Sequence, residues 1–250
     1  MRGSAVARCG RRPATIAATT IAILATALSG CLYPGDPQRA ENPAAVREGV
    51  AAVQRAVDEY RRATGVLPIR NRPVNTPIYE KYPIDFSRLV EGGFLGAIPK
   101  VAFEKGGRAV FVLVDVETAP KVKLLDLPTH EAAVRVRQAV EAHLAEGRPL
   151  PAGEQVAPQF WTVDFAAMGM REERIVSVFS GLPLRWIVHE SGAVGIDYAA
   201  DIMSLIQRLG LTDADIPGDL RELLVRESDF VPVDSFAYRW IDRTPVPVFP

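Results

Sequence analysis

The sequence predicts an α+β fold, with a long N-terminal helix packed on a small antiparallel sheet, followed by a second helix-plus-antiparallel-sheet unit. Three observations predict it. Val46, Val50, Val53, Val57 and Tyr60 recur at steps of four, three, four and three, the spacing of one helix face. Two pairs of β-rich runs, 109–116 with 121–127 and 184–189 with 193–198, lie close together across short turns. Strands also follow strands, without the strand–helix alternation of a parallel sheet.

Each element has its own signals. Asn42 is an N-cap residue and Pro43 suits a first helical position, while Gly65 is placed to end that helix. Residues 66–99 are rich in proline and read as loop, except for a short helix at 85–90 stopped by Gly92-Gly93. The apolar run 109–116 pairs with 121–127 across Ala119-Pro120 as a hairpin. Thr129 is expected to cap a helix over 129–146, closed by Gly147. Residues 148–158 carry prolines and glycine and read as a linker. Beyond it, strands are expected at 160–165 and 174–179, then the hairpin 184–198, a helix at 200–209 ended by Gly210, and a short helix at 219–225. The tail 230–250, with Pro232, Pro245, Pro247 and Pro250, reads as extended and irregular. The expected organisation is therefore a helix-plus-hairpin domain over 43–147, the linker 148–158 and a second α+β domain over 159–250.

The N-terminus reads as an export signal. Arg2, Arg8, Arg11 and Arg12 make a positive region, and 14–28 is apolar and uncharged. That stretch is shorter than the roughly 20 apolar residues of a spanning helix and suits a signal peptide over 1–30. It ends in Leu28-Ser29-Gly30-Cys31, which resembles the lipobox of bacterial lipoproteins. The resemblance implies cleavage before Cys31, diacylglycerol on its thiol, and 31–42 as a lipidated tether. Two acyl chains hold a protein stably where one short chain holds it marginally. Arg11-Arg12 is followed at once by Pro13, without the rest of a twin-arginine signal.

The remaining composition narrows the class. Without residues 1–30 the chain has 25 Lys+Arg against 30 Asp+Glu, a net charge of −5. That is no electrostatic footprint for nucleic acid or for an anionic membrane surface, so membrane attachment rests on the lipid. Cys9 leaves with the signal and Cys31 is taken by lipid, which leaves no thiol for a disulfide, a thiol enzyme or a cysteine metal site.

A family resemblance is carried by several runs: Cys31-Leu32-Tyr33-Pro34, Arg39-Ala40-Glu41-Asn42, Thr64-Gly65-Val66-Leu67-Pro68-Ile69, Thr76-Pro77-Ile78-Tyr79, Lys81-Tyr82-Pro83-Ile84-Asp85-Phe86, Val112-Leu113-Val114-Asp115-Val116 and Phe230-Val231-Pro232. These resemble the YphF lipoproteins of endospore-forming Gram-positive bacteria. The resemblance runs over nearly the whole mature chain and implies a lipid-anchored extracytoplasmic protein. Some members have carried a label as the binding component of an ABC transporter. A second likeness covers only 43–99. A long helix ending in Tyr60 and Thr64-Gly65-Val66-Leu67-Pro68, then Leu89, Gly93-Phe94-Leu95 and Ile98-Pro99, is similar to the soluble part of type II secretion pseudopilins. The lipobox and tether depart from the prepilin start of that family, so the likeness implies a helix-on-hairpin fold and not pilus assembly.

No chemical motif stands out. His130, His143 and His189 lack the three- or four-residue spacing of a helical metal pair, and no metal or cofactor is expected. Ser180-Gly181 and Ser191-Gly192 read as turns, and no Gly-x-Ser-x-Gly elbow is present. Asp85, Asp115, Asp126, Asp164 and Asp197 each lie in or beside a strand-like run, with nothing to fix a pair. Gly92-Gly93 and Gly106-Gly107 lack the setting of a phosphate loop. Phe236, Tyr238 and Trp240 alternate, and are either core of the second sheet or a candidate ligand or partner surface. The leading expectation is a non-enzymatic interaction or assembly protein, lipid-anchored at the outer face of the plasma membrane. Its expected partners are the membrane itself and an envelope protein or transporter permease. The alternatives are a solute-binding lipoprotein of an ABC transporter and an envelope hydrolase.

Overall fold

Helix α1 opens the computed structural model, which describes residues 42–249, and it spans Pro43–Thr64. The Asn42 side chain accepts from the Ala44 N–H, and Gly65 turns the chain out in the left-handed region at φ 76°. Val46, Val53 and Val57 are buried on the predicted face, with Val50 and Tyr60 half-buried at its margin. After a loop, α2 (Phe86–Glu91) is capped by Asp85. The predicted hairpin follows as β1 (Ala109–Val114) and β2 (Lys121–Asp126), antiparallel with Phe111 opposite Leu124.

The hairpin is buried on both faces. Phe111, Leu113, Val122 and Leu124 pack against α1 and α2, while Val112, Val114 and Leu125 pack with Val225, Val231 and Val233. This explains why residues 109–114 read as one apolar run and not as an alternation.

Helix α3 (Leu127–Ala145) begins two residues before the expected cap. Its N-cap is Asp126, whose carboxylate accepts from the Thr129 N–H at 3.1 Å and the Thr129 hydroxyl at 2.5 Å. The reason is Pro128, which lacks an N–H and so fits the first helical turn, with the cap just before it. Asp126→Ala is expected to lower the unfolding free energy by about 1 kcal/mol, read from the midpoint of urea denaturation.

Residues 148–158 are not a linker. They contain β3 (Ala152–Ala157), the edge strand of a sheet ordered β3-β4-β6 with β4 (Phe160–Val163) and β6 (Pro183–His189). Pro149, Pro151 and Pro158 flank β3 and mimic a linker, while Gly153 lies in an edge strand whose register shifts against its neighbour accommodate it. On its other side β6 pairs with β7 (Val194–Asp197), and the short β5 (Ile175–Val176) joins at Leu184. The expected strand at 174–179 is thus only two residues long. Helices α4 (Ala199–Leu209) and α5 (Arg221–Glu227) pack with α3 on this sheet around Val136, Val140, Val188, Ile202 and Leu223.

The tail is ordered structure. Residues 229–231 lie parallel to β2, through Leu124 N–H to Asp229 O at 2.8 Å and Val231 N–H to Leu124 O at 2.9 Å. Three residues on, the Ile196 N–H donates to Asp234 O at 2.9 Å, which attaches the same segment to β7. A last hairpin, β8 (Ala237–Ile241) with β9 (Thr244–Val248), completes the chain. The described residues form one compact unit, with one large core beneath the first hairpin and another beneath the second sheet. Among them, no helix is long and apolar enough to cross a membrane.

Candidate functional site

The stitch between the two sheets is where the fold gathers charge. Asp234 follows the buried Val231 and Val233, and its backbone is left-handed at φ 48°, a region that aspartate enters more readily than most residues. Its backbone N–H donates to Glu80 Oε1 at 2.9 Å. Glu80 arrives from the turn after Pro77, held by its own N–H to the Pro77 carbonyl. From the other side come His130 and Arg137, two helical turns apart on α3, and therefore on one stripe of it. His130 Nδ1 lies 2.8 Å from Asp234 Oδ2 and 3.7 Å from Glu80 Oε2. Arg137 pairs with Asp234 Oδ1. The two acidic side chains are nearly sealed, at 4% and 2% exposure, whereas that of His130 keeps 22%.

The electrostatics follow from that burial. The hydrogen bond to Asp234 raises the His130 pKa above the usual imidazole value, against an opposing effect of desolvation. Desolvation raises Glu80, and the neighbouring Asp234 charge adds to it. With His130 protonated, two cations face two carboxylates and the cluster is neutral.

The other histidines stand apart. His143 is buried on α3, with Nε2 bonded to the Pro149 carbonyl at 2.9 Å, and so Nε2 carries the proton. His189 is bonded to Ser191 through Nδ1 and stacked on Phe249 at 4.2 Å.

Phe236, Tyr238 and Trp240 do not form an open surface. Tyr238 is wholly buried; its hydroxyl accepts from the Tyr198 N–H and donates to Asp197, both at 3.0 Å. Phe236 is half-buried, edge-on to Phe160 at 5.0 Å, and Trp240 donates to Asp213 at 2.9 Å. Their alternation is that of a strand turned onto the core. Leu28, Ser29, Gly30 and Cys31, with the signal and most of the tether, lie outside the described residues. Of the strand-side aspartates, Asp85 and Asp126 are helix caps, and Asp197 pairs with Arg185 at 2.6 Å.

A concavity lies on the first unit, away from the cluster. An open groove of about 660 Å³ is lined by Arg70, Asp85, Phe86, Val90, Ile98 and Lys105, among others. Arg70 is paired with Glu104 across it at 3.2 Å.

The architecture defines an α+β protein whose first unit is a helix laid on a two-stranded hairpin. Residues 46–126 match the model of the YphF family N-terminal domain, so the resemblance to that family is borne out over this unit. No curated protein and no solved structure matches the chain.

Proposed function

We propose that this protein is an extracytoplasmic lipoprotein, anchored through diacylglyceryl-Cys31 to the outer face of the plasma membrane, that acts there as a non-enzymatic interaction protein. The observation that carries the reading is Leu28-Ser29-Gly30-Cys31 at the end of an uncharged apolar stretch that follows four arginines. Support for a non-enzymatic role comes from the buried cluster. Arg137 engages Asp234, and the Asp234 N–H engages one oxygen of Glu80, which ties together the segments that cross there.

The test is a Cys31→Ala variant expressed in a Gram-positive host. Wild type is expected to stay with the membrane and enter the detergent phase, and the variant to be released. A wild-type protein that keeps its first thirty residues, or shows a free thiol at its processed end, would sink the proposal. The groove favours a second reading, solute binding, because its volume lies in the range of small-ligand sites. A thermal-shift screen with sugars, peptides and amino acids separates the two readings: a hit abolished by Lys105→Ala supports solute binding.

A further inference from the structure

We propose that Glu80, His130 and Asp234 form a binding site for a divalent transition-metal ion, Zn²⁺ being the first to test, that ties the tail segment to α3 and to the 77–80 turn. Glu80 Oε2, His130 Nδ1 and Asp234 Oδ2 all lie within 4.8 Å of one another. Tetrahedral bonds of about 2.0–2.1 Å put neighbouring ligand atoms roughly 3.3 Å apart. The two histidine-to-carboxylate distances, 2.8 and 3.7 Å, bracket that value, and the carboxylate oxygens, within 4.8 Å of each other, close on the ion by side-chain rotation.

A second observation points to a ligand. Glu80 is more than nine-tenths buried, and one of its oxygens is satisfied by the Asp234 N–H. The other is turned toward His130 at a distance too long for a hydrogen bond. A desolvated carboxylate held that far from its imidazole partner is a ready ligand for a cation placed between them. The donor set selects the kind of ion. An imidazole with two carboxylates suits Zn²⁺ and its neighbours in the first transition series, whereas Ca²⁺ and Mg²⁺ seek six or more oxygens. Three protein ligands leave a fourth position for solvent, on the side where His130 keeps its exposure. The outer partners are already in place: Arg137 orients Asp234, and the Asp234 N–H orients Glu80. An ion here replaces the hydrogen between His130 and Asp234.

The experiment uses the untagged full chain in detergent, stripped with a chelator and titrated with Zn²⁺ alone. Calorimetry is expected to show one ion per chain, with a rise in the thermal midpoint. X-ray absorption is expected to show only nitrogen and oxygen neighbours at about 2.0–2.1 Å, without sulfur at about 2.3 Å. Glu80→Gln keeps an acceptor for the Asp234 N–H and is expected to weaken binding at least about tenfold. His130→Asn is expected to weaken it as much or more, and decides the matter alone should the first variant not fold. Absence of saturable uptake by wild type, uptake unchanged in these variants, or sulfur in the metal's shell overturns the proposal. None of these readouts depends on lipidation.

Discussion

Replacing Phe111 by alanine is expected to lower the unfolding free energy by about 4 kcal/mol, within the range for emptying a buried aromatic site. Phe111 sits on β1 at 1% exposure, where α1, α2 and β2 meet. Its ring is edge-on to Phe86 at 5.4 Å and 73°, a geometry that adds to simple burial. Its carbonyl accepts from the Ile84 N–H at 2.9 Å, so the backbone on either side is pinned and the hole cannot easily collapse. Phe111→Leu, which keeps much of the volume, is expected to cost roughly 1–1.5 kcal/mol. Urea denaturation should show lower midpoints with unchanged slopes for both variants. A loss below about 1 kcal/mol for alanine would mean that the two sides of the first core are not joined through this ring.

Asp234→Ala in chelator-treated buffer is expected to cost about as much, for a different reason. The carboxylate is buried and bonded to both His130 and Arg137. Breaking a buried ion pair typically costs about 3–5 kcal/mol, and partial exposure of the two cations puts this case near 3. Alanine at φ 48° adds roughly 1 kcal/mol of left-handed strain, which asparagine largely avoids. The expected losses are therefore about 4 kcal/mol for alanine and about 3 for asparagine. Equal losses in the two variants would show that the backbone there relaxes, and near-zero losses would remove the cluster's role in holding the tail.

The sequence carried a good deal of this fold but little of the cluster. Helix α1 is legible because period, N-cap and terminal glycine agree at one place. The hairpin β1–β2 is legible as two strands, but an apolar run says nothing of what covers its second face. That cover comes from Val225, Val231 and Val233, which have no local signal linking them to β2. Prolines at 149 and 151 hid an edge strand, and Pro128 was the clue that moves the cap from Thr129 to Asp126. Glu80 and Asp234 lie in irregular segments 154 residues apart, so no spacing rule joins them. The seven-residue step from His130 to Arg137 was visible, but a polar stripe on a helix usually faces water. Phe236, Tyr238 and Trp240 showed strand alternation, which gives a shared face without saying whether it meets solvent.

The parallel bridge at 229–231 bears on where the family-matched segment ends as a physical object. Residues 46–126 stop at the last residue of β2, yet β2 receives its outer neighbour more than a hundred positions later. Produced alone, that segment would strip Val225, Val231 and Val233 from Val112, Val114 and Leu125, beside a row of unpaired backbone groups open to any passing chain. A boundary drawn by sequence similarity therefore cuts through a compact unit. During synthesis, that edge stays open until the C-terminal portion emerges, which makes closure a late, long-range event.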